Sequence, residues 1–242
     1  MITPGNPLQI LAIIPAYNEE GNIVKTIDEV LASKIPMQIL VVNDGSKDGT
    51  EQKACLAGVR VVSLPFNLGI GGAIQTGFQF ALENNFDVAL QIDGDGQHDV
   101  KYVETLLNPI MKNQADMVIG SRFLPPYLGY QSSFMRRIGI HFFSYLISTL
   151  TGCRTSDPTS GFRAYNRKMI KAFARGYPQD FPEPEAIVVA QRLKARVVEV
   201  PVEMRERLQG HSSIRYLKTL YYMIKVSCAI LLNMVKVTKE ME

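Results

Sequence analysis

Three features of the sequence predict an α/β protein with a mostly parallel sheet flanked by helices. Short aliphatic runs alternate with longer mixed segments, the rhythm of strands joined by crossover helices. The runs ILAII, ILVV and VALQI are nearly continuously apolar, as strands covered on both faces are. Loops bearing glycine and acidic residues follow strand ends at Pro15 to Gly21, Asp44 to Gly49, Asp93 to Asp99 and Asp157 to Gly161. In an open α/β sheet, ligands bind beyond the carboxyl ends of the strands, so these four loops mark one crevice.

Each element has its own justification. The first strand is placed at Gln9 to Ile14, stopped by Pro15, with Asn18 capping a helix from Glu20 to Ser33. A second strand, Gln38 to Asn43, leads into a helix from Asp48 to Ala57 capped by Asp48 or Ser46. Strands at Val59 to Leu64, Val88 to Ile92 and Met117 to Gly120 are separated by helices at Ile70 to Asn84 and Val100 to Asn113. A strand at Gly161 to Tyr165, a helix at Arg167 to Ala174 and a strand at Arg196 to Val200 complete the sheet.

The composition excludes several classes. With 46% apolar and 20% charged residues in 242, the chain can bury a full core, which rules out disordered and fibrous architectures. A net charge of +3 is too small for a nucleic-acid coat, so no nucleic-acid partner is expected. Cys55, Cys153 and Cys228 lack disulfide or zinc-ligand spacing, which suits a reducing compartment. The first apolar run holds Pro15 and is followed by Glu19 and Glu20, so it reads as a strand and not as a signal peptide. No linker or repeat divides the chain. Residues 1–213 are expected to form one domain, with 214–242 as a C-terminal amphipathic appendage.

The sharpest chemical signal is LQIDGDGQHD, Leu90 to Asp99. Gly94 and Gly96 allow a turn on which Asp93 and Asp95 face one point, and paired hard oxygen donors suit Mg²⁺ or Mn²⁺. Gln97 adds a neutral oxygen; the alternative is an ordinary Asp-Gly turn with solvated acids. In VVNDGSKDGT, Asp44 stands at a strand tip where it can accept from a base's ring N–H groups. In IIPAYNEEGNI, nucleotide contacts by Tyr17 and Glu19 stand beside simple helix capping. NLGIGGAIQTG lacks the third glycine of a dinucleotide fingerprint and the lysine of a P-loop, leaving helix packing or phosphate approach open.

Together PAYNEE, NDGSKDGT, NLGIGGA and DGDGQH resemble family 2 glycosyltransferases of the GT-A fold, a Rossmann-like architecture, and most closely their dolichyl- or polyprenyl-phosphate sugar transferase branch. The resemblance runs from about Leu8 to Ser213. It implies that Pro15, Tyr17, Glu19 and Asp44 hold the nucleotide of a nucleoside diphosphate sugar, and that Asp93 and Asp95 are the metal-binding D-x-D pair, with Gln97 beside them. Arg122 in GSR is similar to a phosphate-side arginine, and DPTSGFR resembles a loop beside the acceptor, making Asp157 and Arg163 site candidates. Glu183 or Glu185, at a helix start, fits the position of a general base, although acids are favoured there by the helix dipole. The family's common E-D pair is missing, so the base stays unassigned. RERLQGHSS, Arg205 to Ser213, is similar to the branch's R-x-x-G-x-S loop, which makes Arg205 and Arg207 phosphate candidates and His211 a candidate for the metal shell.

The resemblance implies inverting transfer to a polyprenyl (undecaprenyl or dolichyl) phosphate by a cytoplasmic enzyme peripheral to the inner face of the membrane. Two other readings stay open: a hexosyl or rhamnosyl transferase extending a cell-surface polysaccharide on a glycan-lipid acceptor, and an inactive nucleotide-sugar-binding subunit. Phe134 to Leu150 and Ile214 to Val237 are apolar but interrupted by charge, and read as helices lying in the membrane interface. Core packing and a homo-oligomer contact are the alternatives.

Overall fold

The computed structural model describes residues 8–126, 134–205 and 225–231. Seven strands form one sheet: β1 (Ile10–Ala16), β2 (Gln38–Asn43), β3 (Arg60–Ser63), β4 (Val88–Gln91), β5 (Met117–Ser121), β6 (Arg163–Asn166) and β7 (Val197–Pro201). Their order is β3-β2-β1-β4-β6-β5-β7. All pairings are parallel except those of β6, which runs antiparallel to both β4 and β5. Among the described residues the helices that flank the sheet are α1 (Ile23–Leu31), α2 (Thr50–Leu56), α3 (Gly69–Glu83), α4 (Val103–Met111), α5 (Phe134–Thr151), α6 (Arg167–Arg175) and α7 (Pro182–Arg192), with a further helical segment at 225–231.

Alternation along β1 divides the interior in two, because successive side chains leave opposite faces of a strand. Leu11 and Ile13 join α3, α5, α6 and α7 in one core. Ile10, Ala12 and Ile14 join α1, α2 and α4 in the other. On the first face Phe78, Tyr165, Phe173 and Tyr177 pack with centroids 4.9 to 5.7 Å apart, several edge to face.

Three local expectations are corrected. Pro15 does not end β1; it pairs with Val42, and the strand continues to Ala16. Ala16 O accepts from Asp44 N on the β2 side and Ile13 O accepts from Ile92 N on the β4 side, so the Pro15 nitrogen also faces the β4 side. The ladder with β4 stops at Ile13, and no hydrogen bond is lost there. Asn18 does not cap a helix. It adopts φ +54, donates its backbone N–H to Ser46 Oγ and accepts from Lys47 N, tying the loops after β1 and β2 together. The helix α2 starts at Thr50 after Gly49, with the Asp48 carboxylate accepting from Thr50 N.

In α5, Ile140, Phe143 and Ile147 are buried while Ile138, Phe142 and Tyr145 are exposed, so apolar residues occupy both its inner and outer faces. Within the second amphipathic segment, residues 225–231 are helical, and Val226 and Ile230 pack into the first core. Among the described residues, no helix is long and apolar enough to cross a membrane.

Candidate active site

The loops after β1 and β2 are cross-linked into one wall. Glu19 N donates to Thr50 Oγ1, Glu20 N to Asp48 Oδ2, Gly49 N to Glu20 Oε2, and Lys53 Nζ to Glu20 O. Glu19 is buried and accepts from Asn22 Nδ2, whereas Tyr17 is exposed beside it. Asp44 is buried and accepts from Leu68 N at 2.7 Å and Gly69 N at 2.9 Å, so it holds the start of α3 at the strand tip. Gly45 has φ +67, and a Cβ there would lie 2.9 Å from Asn67 N, so this turn requires glycine. In NLGIGGA, Gly69 has φ +82 with open space around it, whereas Gly71 and Gly72 serve packing: a Cβ on Gly71 would meet Pro178 O at 2.4 Å and one on Gly72 would meet Leu68 Cβ at 2.5 Å.

The D-x-D turn leaves the end of β4 in the centre of the sheet. Asp95 Oδ1 accepts from Gln97 N, and Asp93 N donates to Nδ1 of His98 at 3.0 Å. His98 is buried and stacks on Phe162 with centroids 4.7 Å apart. Burial lowers its pKa to about 4, aided by the charge of Arg122 and opposed by Asp95 and Asp157. It is therefore a neutral imidazole that fixes the turn. A Cβ on Gly161 would come within 2.9 and 3.0 Å of the Asp93 carboxylate oxygens, so the loop before β6 packs against one side of this acid with no room for a methyl between them. Two carboxylates with an amide side chain one turn on form a hard-oxygen donor set that fits Mg²⁺ or Mn²⁺ with positions left for phosphate. Among the described residues, no group of three or more His, Cys, Asp or Glu could form a closed protein cage around an ion.

Arg122, at the end of β5, donates through Nε to Asp157 Oδ2 at 2.6 Å and through Nη2 to Asp157 Oδ1 at 2.7 Å, with Thr159 Oγ1 also accepting from Nη2. Asp157 is fully buried, and this pair, with the field of Asp93, raises the Arg122 pKa against the cost of its burial. The Asp157 carboxylate is thus committed to a cation. Arg163 is also fully buried and holds the same loop, donating to Ser160 O and Pro158 O. It supports the loop from beneath.

The remaining candidates separate. Glu185 is buried and accepts from Phe181 N, capping its own helix, while Glu183 is half-buried in the first turn of α7. The Arg205 guanidinium pairs with both oxygens of Glu29 at 2.7 and 2.8 Å and with Asp99 at 2.9 Å. Its backbone N–H donates to Gln97 O, and its own O accepts from Gln97 Nε2, so Arg205 braces the D-x-D turn. Arg207 and His211 lie outside the described residues. Sequence reasoning passed over His98, Glu29 and Glu199. His98 stands inside the DGDGQHD string, and its place directly after the acids was the signal available.

Comparison with known proteins agrees with this geometry. Solved structures of glucosyl-3-phosphoglycerate synthase from Mycobacterium tuberculosis superpose with a TM-score of 0.70 at 22% identity, covering 94% of this chain and 78% of that one, including a complex with Mn²⁺, UDP and phosphoglyceric acid. At that identity the likeness establishes the GT-A fold. Undecaprenyl-phosphate mannosyltransferase of Micrococcus luteus is 30% identical over 218 residues, 86% of this chain and 88% of the relative. Polyprenol monophosphomannose synthase of Mycolicibacterium smegmatis is 31% identical over 84% of this chain and 80% of its own. The UDP-N-acetylglucosamine–dolichyl-phosphate N-acetylglucosaminyltransferase of Methanococcus voltae is 29% identical over 80% and 84%. The sequence profile described as Glycosyl transferase family 2 matches residues 11–173, more than half of the chain. With this match over a GT-A sheet whose D-x-D turn and β1 and β2 loops share one end, the chain belongs to glycosyl transferase family 2.

Proposed function

We propose that the protein transfers a sugar, with inversion, from a nucleoside diphosphate sugar to a polyprenyl phosphate at a membrane surface. One observation carries the acceptor assignment. Of the three acids considered as a base, Asp157 is locked to Arg122 and Glu185 caps α7. An acceptor phosphate arrives already ionised and needs no strong base, whereas a sugar hydroxyl does. The names of the polyprenyl- and dolichyl-phosphate relatives support the same choice.

In this reading Pro15, Tyr17, Glu19 and Asp44 border the nucleotide, and Asp93, Asp95 and Gln97 would hold a divalent cation, which offsets charge on the diphosphate when bound. Arg122 has Nε and Nη2 engaged, which fixes the plane of the guanidinium and leaves Nη1 as its remaining donor toward a departing phosphate. Because Asp157 holds the guanidinium before substrate arrives, little reorganisation is needed when the leaving group develops charge. The outer stripe of α5, with Tyr145 73% exposed, and Arg136 and Arg137 near its start favour docking on an anionic lipid surface. In this reading the protein works as a peripheral enzyme at the inner face of the membrane.

The test incubates the purified protein with Mg²⁺ or Mn²⁺, radiolabelled UDP-, GDP- or dTDP-sugars, and either undecaprenyl phosphate or a glycan-lipid. Label in the undecaprenyl phosphate extract is the expected result. Label only in glycan-lipid would overturn the acceptor assignment and give Glu183 the role of base, and no label with any pair would leave a nucleotide-sugar-binding subunit.

A further inference from the structure

We propose that Glu199, a β7 residue outside every motif, is a positioning residue for Arg122. This rests on the reading that Arg122 meets the donor's diphosphate. One carboxylate gathers three consecutive residues: Oε1 accepts from Thr155 Oγ1 at 2.8 Å, Ser156 N at 2.9 Å and Asp157 N at 2.9 Å, and Oε2 accepts from Ser156 N at 2.7 Å and Ser156 Oγ at 2.8 Å. Ser156 Oγ also lies 2.7 Å from Ser121 Oγ, on the residue before Arg122. The result is a closed ring of contacts, from β5 through Ser156 to Glu199, then through Asp157 to the Arg122 guanidinium.

The ring has a mechanical meaning. Ser156 and Asp157 have no helix or ladder to satisfy their backbone donors, so the Glu199 carboxylate takes that role and fixes where Asp157 stands. Asp157 in turn fixes the fork of Arg122. β7 pairs with β5 through Ile119 and Glu199, so the carboxylate is carried by the strand next to the one that leads directly into Arg122. Replacing it by an amide keeps the shape, loses the charge and turns an NH₂ toward groups that donate. A shift of about 1 Å in a catalytic cation is enough to cost on the order of 100-fold in rate.

A matched control exists at the opposite end of the sheet. Asp116 also ties β5 to its neighbours, accepting from Arg196 N at 2.7 Å and Asn166 Nδ2 at 2.8 Å, but it lies at the amino end of β5, away from Arg122. A purely structural carboxylate bridge predicts the same behaviour for both.

The experiment compares Glu199→Gln, Asp116→Asn, Arg122→Met and the Glu199→Gln/Arg122→Met double variant in the full chain. Each is read as kcat and as the Kd of UDP or GDP with Mn²⁺ by calorimetry, the second readout being independent of the acceptor. Glu199→Gln is expected to lower kcat about 10- to 100-fold, Asp116→Asn to leave it unchanged, and Glu199→Gln to add nothing once Arg122 is gone. Additive losses, or an equal loss in Asp116→Asn, overturn the proposal while leaving the role of Arg122 intact. Full kcat and Kd in Arg122→Met overturn the underlying reading as well. Should Glu199→Gln fail to fold, Ser156→Ala carries the same cycle with an expected loss of about threefold, and wild-type kcat and Kd there overturn the proposal.

Discussion

Substituting Gly161 by alanine should damage cation binding without damaging the fold. The new methyl would sit 2.9 and 3.0 Å from the Asp93 carboxylate oxygens, where 3.4 Å or more is ordinary contact. The Gly161 backbone has no positive φ, so alanine itself is not strained. The Asp93 side chain is 36% exposed and can give way, so relief comes from a displacement of about half an ångström at the carboxylate, more than twice the ~0.2 Å tolerance of a metal–oxygen bond. Mn²⁺ affinity in the presence of UDP or GDP, followed by electron paramagnetic resonance, should fall by about 10-fold or more. Stability should change by no more than about 0.5 kcal/mol, or roughly 1 °C in Tm for a chain of this size. Unchanged Mn²⁺ affinity would refute the reasoning, as would a large fall in Tm, which would place the strain in the loop instead of the acid.

Other substitutions separate site from scaffold. Gly77→Ala places a methyl 2.4 Å from Ile13 Cγ2 in the core, and should cost about 1 to 3 kcal/mol in urea unfolding while nucleotide affinity persists. Asp95→Asn should abolish transfer with an unchanged circular dichroism spectrum; retained turnover would dismiss the cation assignment. Asp44→Ala removes the acceptor for Leu68 N and Gly69 N and should lower stability by about 1 to 2 kcal/mol as well as nucleotide affinity, both readable in one thermal titration. Phe142→Glu, on the exposed side of α5, should weaken sedimentation with vesicles rich in anionic lipid at least fivefold without altering Tm, and equal sedimentation would remove α5 from the docking surface.

Much of the sheet was readable because burial on both faces leaves a direct trace: ILAII, ILVV and VALQI all became strands within one or two residues of their expected ends. The direction of β6 left no such trace, since alternation and apolarity are identical in a parallel and an antiparallel strand. Charged residues were legible as charges and not as partners. Arg205 stands in a basic stretch and invites a phosphate, yet its counterion is Glu29, 176 residues earlier on α1. Glu199 was obscured for a related reason: a lone acid among valines reads as the outward residue of an edge strand, and only folding brings Thr155 to Asp157 over it. Asn18 was assigned by its capping propensity, whereas its side chain serves the neighbouring loop from a left-handed backbone.

The reversed course of β6 governs how such a protein can diversify. Its amino end lies beside the carboxyl ends of β4 and β5, where Arg163 faces both Gln91 and Ile119. The long excursion from Arg122 to Phe162 thus departs from the rim of the crevice and comes back to it, carrying α5 on the way. An excursion anchored at both ends on one rim can change in length and content without disturbing the order of the strands, so long as Arg122 and the Asp157 loop that seats it are retained.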